Sequence, residues 1–285
     1  KALLLFIVLS YVSLPCINAQ QNRWQINPSG GITWPVGASA EHKDHIEMSG
    51  KYISAVIRYG VNPDQSLYLS RDIVWPMLRT IPNNTHASLT RTFNTDIVKQ
   101  ININKRPAVK EIVDEISLDG KITIRSTINE KFQLRRIIFP STDKPMFCEK
   151  YVLKNAGEKP ATIEIPQIDN ILTTNPSDGV EGSYFLRVQS GKAGVFVVQP
   201  GDSITFYLSI SAAKNAQDAG VADIDNELLK RDDFLQFLKR NLVLETPDEI
   251  LNKAFAFAKI RASESIYQTK GGPLHGPGGL SYYAA

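Results

Sequence analysis

Hydrophobic and polar residues alternate along most of the chain, from Trp24 to about Ala212. Alternation with a period of two places successive side chains on opposite faces of the backbone, which is typical of β-strands that bury one face. The apolar stretches are short, and turn-forming Gly, Pro, Asn and Asp residues separate them without interleaved helical patterns. We therefore predict a large antiparallel β-sandwich over residues 20–212.

Three pairs of predicted strands are joined by short turns. Residues 52–59 and 66–70 flank the turn sequence GVNPD, and residues 194–198 and 203–210 flank QPGD. Residues 112–118 and 121–128 are joined by Asp-Gly, a dipeptide that readily adopts the positive φ angles of a two-residue turn. Each pair predicts an antiparallel hairpin, and further strands are predicted at residues 132–139, 147–153 and 162–165.

The hydrophobic period changes near Ala213. Apolar residues at positions 224, 228, 229, 234, 235 and 238 lie among charged residues, which predicts an amphipathic helix. We interpret residues 213–246 as a helical linker between two layers of the protein.

A second helix is predicted to begin at Thr246 as the N-cap, with Pro247 at the first helical position and Glu249 completing a capping box. It should run to about Gln268 and end at the glycine pair that follows. Its broad apolar face needs further helices to cover it, in particular around Phe255, Phe257 and Ile260. We therefore expect the chain to be a fragment that continues as helices beyond Ala285.

The N-terminus resembles a targeting segment. Lys1 precedes an apolar run over residues 2–14, and small residues follow the break at Pro15. This pattern predicts a signal peptide over residues 1–19 and an exported protein, periplasmic or secreted, because the run is too short to span a membrane. A lipoprotein anchored at Cys16 is the less favoured alternative, because Pro15 stands where such signals have a small residue. Cleavage leaves Cys148 alone, so no internal disulfide is expected.

Composition and charge exclude several classes of protein. The 285 residues are 42% hydrophobic and 21% charged, which rules out collagen, coiled coil and wholesale disorder. The formal net charge is +3, and the basic residues are scattered rather than clustered. A nucleic-acid partner is therefore not expected.

The densest polar cluster of the predicted sandwich lies at residues 42–50 (HKDHIEMSG). On an extended strand His45 and Glu47 share one face, whereas Asp44 and Met48 share the other. The cluster has three interpretations: a divalent metal site, which this alternation disfavours; a polar strand end; or a sugar-binding edge.

Other candidate residues favour structural interpretations. Trp24, Trp34 and Trp75 are typical of core packing rather than of sugar platforms. Cys148 lies within a predicted strand without a cationic neighbour, as expected of a buried apolar residue. No G-x-S-x-G sequence supports a serine hydrolase.

Residues 269–283 (TKGGPLHGPGGLSYY) form a Gly- and Pro-rich segment that allows close backbone approach to a ligand. Together with residues 244–248 (LETPD) and 255–259 (FAFAK), residues 275–283 resemble bacterial six-hairpin glycosidases, in particular exported Bacteroidetes-type members. These enzymes join an N-terminal super-sandwich to an (α/α)6 toroid. The resemblance implies a truncated catalytic domain that begins at residues 247–285 and an exported glycoside hydrolase acting on an oligo- or polysaccharide.

The resemblance implies no cofactor and no metal, and it places the catalytic carboxylates beyond Ala285, so they remain unidentified. It suggests substrate-binding roles for His275 and Tyr282 at the mouth of the barrel and for His45 and Glu47 on the sandwich. The expected partner is a carbohydrate substrate, while the oligomeric state stays open. A noncatalytic carbohydrate-binding β-sandwich protein is the alternative function.

Overall fold

The computed structural model describes residues 23–37, 41–82, 87–108, 111–220 and 223–275, which form mainly β-strands. The first ten strands are β1 (Gln25–Ile26), β2 (Ile32–Pro35), β3 (His42–Gly50), β4 (Ile53–Val61), β5 (Leu67–Arg79), β6 (Ser88–Phe93), β7 (Asn102–Ile103), β8 (Arg106–Pro107), β9 (Glu111–Leu118) and β10 (Ile122–Ile128). The later strands are β11 (Phe132–Pro140), β12 (Met146–Asn155), β13 (Ala161–Ile165), β14 (Asp169–Thr173), β15 (Phe185–Gly191), β16 (Gly194–Val198), β17 (Ser203–Ala213), β18 (Ile266–Thr269) and β19 (Gly272–His275). Two α-helices lie within the described ranges, α1 (Ile224–Arg240) and α2 (Glu249–Ser263), together with a 3-10 turn at Ile97–Gln100.

Strands β1 to β17 form one large sheet faced by two smaller ones, and β18 and β19 pair as a separate hairpin. The large sheet has nine strands in the order β1-β2-β9-β10-β11-β12-β17-β15-β14. The smaller sheets have four strands each, in the orders β3-β4-β5-β6 and β16-β13-β7-β8. Neighbouring strands pair antiparallel, as in β3 with β4 and β11 with β12. This arrangement confirms the predicted large antiparallel β-sandwich.

Two hydrophobic clusters fill the space between the layers. One joins β3–β5 to the large sheet through buried residues such as Met48, Trp75 and Ile122. The other lies under the second small sheet and includes Ile163 and Phe206. The period-two alternation of the sequence is therefore the pattern of side chains that point into these two cores.

The Asp-Gly hairpin is confirmed, although Leu118 pairs with Ile122 and the loop therefore has three residues rather than two. The glycine of this loop has two functions. Gly120 joins β9 to β10 with a φ of 87°, a conformation that residues with a Cβ adopt at a cost. A Cβ at this position would also lie 2.3 Å from a methyl carbon of Leu235 on α1. The turn and the close approach of the helix both depend on glycine here.

The third predicted hairpin is wrong. β16 pairs with β13 in a small sheet, whereas β17 pairs with β12 and β15 in the large sheet. The intervening turn carries the chain from one layer to the other, and Asn155 holds it there by accepting a hydrogen bond from Gly201 N at 2.8 Å and donating one to Val198 O at 3.0 Å. Turn residues predict a change of direction, but they do not predict which sheet the next strand joins.

Helix α1 lies on the outer face of the large sheet. Asp223 caps its N-terminus by accepting hydrogen bonds from two backbone amides of the first turn. Ile224 and Leu228 pack against Phe139, Met146 and Cys148, which form a third, small hydrophobic cluster. The amphipathic helix predicted around residues 224–238 is therefore present, over Ile224–Arg240.

Helix α2 differs from its prediction at both ends. Asp248 is the N-cap, while the Thr246 hydroxyl donates to Asn252 Oδ1 at 2.8 Å. The helix ends at Ser263 rather than near Gln268, because the chain turns into the β18–β19 hairpin, and Gln268 N bonds Lys51 O at 2.7 Å. This tie to the end of β3 is a long-range contact that the helical pattern did not reveal.

The apolar face of α2 is exposed at its start rather than at its end. Ile260 is fully buried and Phe257 packs against the sandwich core, which corrects the expectation that both are uncovered. Ile250 and Leu251 are 66% and 50% exposed. Three apolar residues at the end of α1 and just after it are also exposed, namely Phe237, Leu242 and Val243.

The predicted signal peptide and the segment after His275, including Tyr282, lie outside the described residues. Within the described part of the chain, no helix is long and apolar enough to cross a membrane.

Candidate functional site

The outer face of β3 carries the candidate polar residues. Ile46 and Met48 point into the sandwich core, so the side chains between them point to the opposite face. His45 is exposed there and Glu47 is half-buried. The structure therefore places His45 and Glu47 on one side of the strand, as the alternation predicts.

A polar cleft lies in front of these two residues, with a volume of about 310 Å³. Its second wall is the segment where α2 ends and the chain turns towards β18. We define the polar cleft by its lining residues, which are His45, Ile46, Glu47, Val56, Arg261, Glu264 and Ser265.

A network of charged side chains holds the second wall of the cleft in place. Arg261 donates to the backbone oxygen of Glu47 at 3.0 Å and forms an ion pair with Glu264. Glu264 also accepts from Arg231 of α1 at 3.0 Å, and both of these side chains are fully buried. Arg231 in turn donates to the backbone oxygens of Gly120 and Ser49. The cleft is therefore built on contacts that join α1, α2 and both layers of the sandwich.

Glu47 has an unusual electrostatic environment. Burial raises the pKa of its carboxyl group from the ordinary 4.5 to about 7, while the hydrogen bond from Ser54 and the charge of Arg261 partly oppose this shift. The nearby Glu264, whose own pKa burial raises, adds a smaller upward effect. A carboxyl group with a pKa near neutrality can either donate or accept a proton, as general acids and bases do.

His275 lies beside the same cleft. The β18–β19 hairpin places its Nε2 atom 3.1 Å from the hydroxyl of Ser265, which lines the cleft. The fold therefore brings His45, Glu47 and His275 to one region, although 228 to 230 positions separate the strand residues from His275. Tyr282 lies outside the described residues.

Arg261, Glu264 and Ser265 were not among the predicted site residues. The hydrophobic pattern places them in a predicted helix, where charged side chains usually face solvent. The sequence contains one local indication that these residues interact: Arg261 and Glu264 stand three positions apart at the end of the apolar pattern. Their burial depends on α1 and β3, which are distant in sequence.

The structure also shows the surroundings of the tryptophans and of Cys148. Trp75 is fully buried and donates its indole N–H to Pro145 O at 2.9 Å, which confirms its core role. Trp34 is also buried, with Trp24 edge-on at 6.0 Å between ring centroids. Burial raises the pKa of the Cys148 thiol, as expected of an unreactive cysteine.

Because side chains alternate between the two faces of β3, His42 lies on the face opposite the polar cleft. Its ring packs edge-on against Trp34 on the core side, with 5.7 Å between centroids. In the described ranges, no group of three or more His, Cys, Asp or Glu side chains is arranged to hold a metal ion.

These elements define a mainly β protein in which a super-sandwich carries two helices and a polar cleft beside them. No family model and no curated protein matches the chain. Among solved structures, the fold is similar to a chain described as "Putative kojibiose phosphorylase from human microbiome", with a TM-score of 0.50 and 8% identity. The similarity covers 86% of this chain and 42% of that one, so this chain spans less than half of its neighbour's length. At this identity the comparison establishes the fold alone.

Proposed function

We propose that the chain is the N-terminal part of an exported carbohydrate-active enzyme that cleaves glycosidic bonds. The observation that carries this proposal is the fold, which is similar to part of the chain described as "Putative kojibiose phosphorylase from human microbiome". The glycosidase-like motifs at residues 244–248, 255–259 and 275–283 support it independently.

In this proposal residues 1–19 are a signal peptide, residues 20–212 the sandwich domain and residues 213–246 the linker. Residues 247–285 begin a helical catalytic domain that supplies the catalytic carboxylates. The exposure of Phe237, Leu242, Val243, Ile250 and Leu251 supports this division, because apolar side chains of this size normally pack against further protein.

The polar cleft is proposed to bind part of the sugar. Sugar hydroxyls need both donors and acceptors, which Glu47, His45 and Ser265 provide in the cleft, with His275 in contact with Ser265 beside it. In the catalytic domain, one carboxylic acid would protonate the glycosidic oxygen. A water molecule, or phosphate in a phosphorylase, would then take the sugar from the broken bond, yielding a free sugar or a sugar 1-phosphate.

The test is product analysis with the longest product of the reading frame. That protein would be incubated with a panel of disaccharides that includes kojibiose, in phosphate buffer and in phosphate-free buffer. A hydrolase releases reducing sugar in both buffers, whereas a phosphorylase forms sugar 1-phosphate only with phosphate. Either product supports the proposal, and saccharide binding without turnover assigns the chain to noncatalytic carbohydrate binding instead.

Substitutions in the polar cleft test its part in the proposal. We expect Glu47→Gln and His275→Ala each to raise KM or lower kcat/KM by about tenfold, the effect of losing one or two hydrogen bonds to a bound ligand. His42→Ala is the matched control, because His42 lies on the other face of β3. If all three variants had the same kinetic constants as the wild type, the polar cleft would have no part in the proposed function.

A further inference from the structure

Strand β16 lies at the edge of one of the small sheets. Within the described ranges it pairs with β13 on one side, and no strand pairs with its other side. The other edge strands of the sandwich with more than two residues, β3, β6 and β14, each carry at least one charged residue. β16 has the sequence GVFVV and carries none. Charged residues commonly keep an edge strand from pairing with another chain, so β16 lacks this protection.

The backbone of β16 has hydrogen-bonding groups on its free side. Asn104 N donates to Thr162 O at 2.8 Å, so the backbone groups of Thr162 point towards β7 and away from β16. Val197 lies opposite Thr162, and Val195 lies opposite Glu164 two positions along β13. Because the backbone groups of successive residues alternate between the two sides of a strand, the N–H and C=O groups of both valines point to the free edge.

The side chains of the same two valines are also uncovered. Val195 and Val197 are each 66% exposed, whereas Phe196 between them packs against the second sandwich core. The free edge of β16 therefore presents two hydrogen-bonding positions and two apolar side chains with one spacing. A strand that covers this edge needs the same two features with the same spacing.

We infer that β16 pairs antiparallel with the β16 strand of a second copy of this chain, which forms a symmetric dimer. The second copy supplies the complement in one register: with Phe196 on the two-fold axis, Val195 of each copy lies opposite Val197 of the other. In this register each valine donates one hydrogen bond and accepts one, and the paired valine side chains contact each other across the strands. The small sheets of the two copies join into one continuous sheet.

Charge favours the same partner and the same orientation. Because β16 carries no charged residue, pairing with itself places no like charges opposite each other. Lys192 precedes the strand and Asp202 follows it, and both residues are exposed. An antiparallel arrangement brings the start of one strand towards the end of the other, so each end of the pairing combines a positive with a negative residue.

Sedimentation equilibrium of the longest product of the reading frame, over a range of concentrations, measures the dimer. Val197→Pro removes an N–H group that the sheet does not use, and proline is tolerated where the N–H of an edge strand faces outwards. A symmetric dimer loses this hydrogen bond twice, so we expect its dissociation constant to rise by about tenfold or more. Val197→Thr is the matched control, because it keeps the N–H group and the β-branched shape and should change the dissociation constant little.

Paired charges test the register. Val195→Lys with Val197→Lys places two lysines opposite each other in both pairs, and this variant should be monomeric. Val195→Lys with Val197→Glu places opposite charges in the same positions and should restore the dimer. Both variants change exposed side chains, so they carry the test if Val197→Pro does not fold.

The inference is overturned if the wild type is monomeric at every concentration, or if the folded Val197→Pro and double-lysine variants keep the wild-type dissociation constant. Equal dissociation constants for the Lys–Lys and Lys–Glu variants would overturn it as well. Amide hydrogen exchange identifies a different occupant: protected N–H groups of Val195 and Val197 in a monomeric protein would show that another segment of the same chain covers this edge.

Discussion

Glu47 shows how one residue's surroundings change its chemistry. The strand pattern alone indicates an outward-facing carboxylate, whereas the fold surrounds it with Ser54, Arg261 and the buried Glu264. Because the pKa of Glu47 is raised from 4.5 to about 7, the folded state holds a proton that the unfolded state has released between those values. The stability contributed by this group is therefore greatest at low pH and falls as the pH rises to about 7.

We expect Glu47→Gln to remove this pH dependence, because the amide remains neutral. At about pH 8 the variant should be more stable than the wild type by roughly 1 kcal/mol, a value reduced from the full effect because the carboxyl is partly open to solvent. Urea unfolding at about pH 5 and pH 8 measures the difference. Glu158→Gln, at an exposed site, serves as the control, and parallel curves for Glu47→Gln and the wild type would contradict the interpretation.

A buried ion pair links the two layers of the sandwich. Arg71 of β5 donates to Glu149 of β12 at 2.7 Å, and both side chains are fully buried. Arg71→Met would leave the Glu149 carboxylate without its main partner, and we expect a loss of about 3–5 kcal/mol in the free energy of unfolding. The double variant Arg71→Met, Glu149→Met should lose less than the single variant, since it buries no unpaired charge. Chemical denaturation distinguishes the two results, and a double variant less stable than the single one would refute this account.

At the scale of elements, a lysine of α2 caps the C-terminal end of α1. The ammonium of Lys259 lies within 2.6–3.1 Å of four backbone oxygens at the C-terminal end of α1, those of Leu238, Lys239, Asn241 and Leu242. A cation at this end complements the helix dipole and satisfies carbonyl groups that have no partner within the helix.

We expect Lys259→Met to lower the free energy of unfolding by about 1–2 kcal/mol, because it removes both effects while keeping the aliphatic length of the side chain. Lys253→Met on the same helix is the control, since Lys253 forms only an exposed pair with Glu249 at 3.4 Å and should cost about 0.5 kcal/mol or less. Thermal unfolding of the two variants measures the difference. Equal losses would mean that the contacts of Lys259 add nothing to stability.

The elements themselves could largely be predicted from the sequence, whereas their pairing could not. Strand alternation and the Asp-Gly turn depend on neighbouring residues, and these predictions are confirmed. The partner of β16, the end of α2 and the burial of Glu264 depend on segments far away in the chain. The polar cleft could therefore be predicted only in part: His45 and Glu47, and His275 beside the cleft, follow from composition and motif, but Arg261, Glu264 and Ser265 require the fold.

At the scale of the whole molecule, the sandwich buries its apolar side chains in two cores, whereas several apolar side chains of the helices are exposed. The exposed apolar side chains of Phe237, Leu242, Val243, Ile250 and Leu251 belong to the two helices and the segment between them, and none is part of either sandwich core. We expect the 285-residue chain alone to bind a hydrophobic dye and to self-associate. Ile250→Lys with Leu251→Glu should reduce both effects, as measured by dye fluorescence and light scattering. Unchanged dye binding in this variant would show that the apolar surface lies elsewhere.

The central proposal is that the polar cleft between β3 and the end of α2 binds sugar, with His275 beside it. The chain has four histidines, which gives a small set of imidazole signals in a proton–carbon NMR spectrum, assignable by single substitution. During titration with the preferred saccharide, we expect the signals of His45 and His275 to shift together with one binding constant, while that of His42 stays in place. Shifts confined to the other histidines, or none at saturating saccharide, would contradict it.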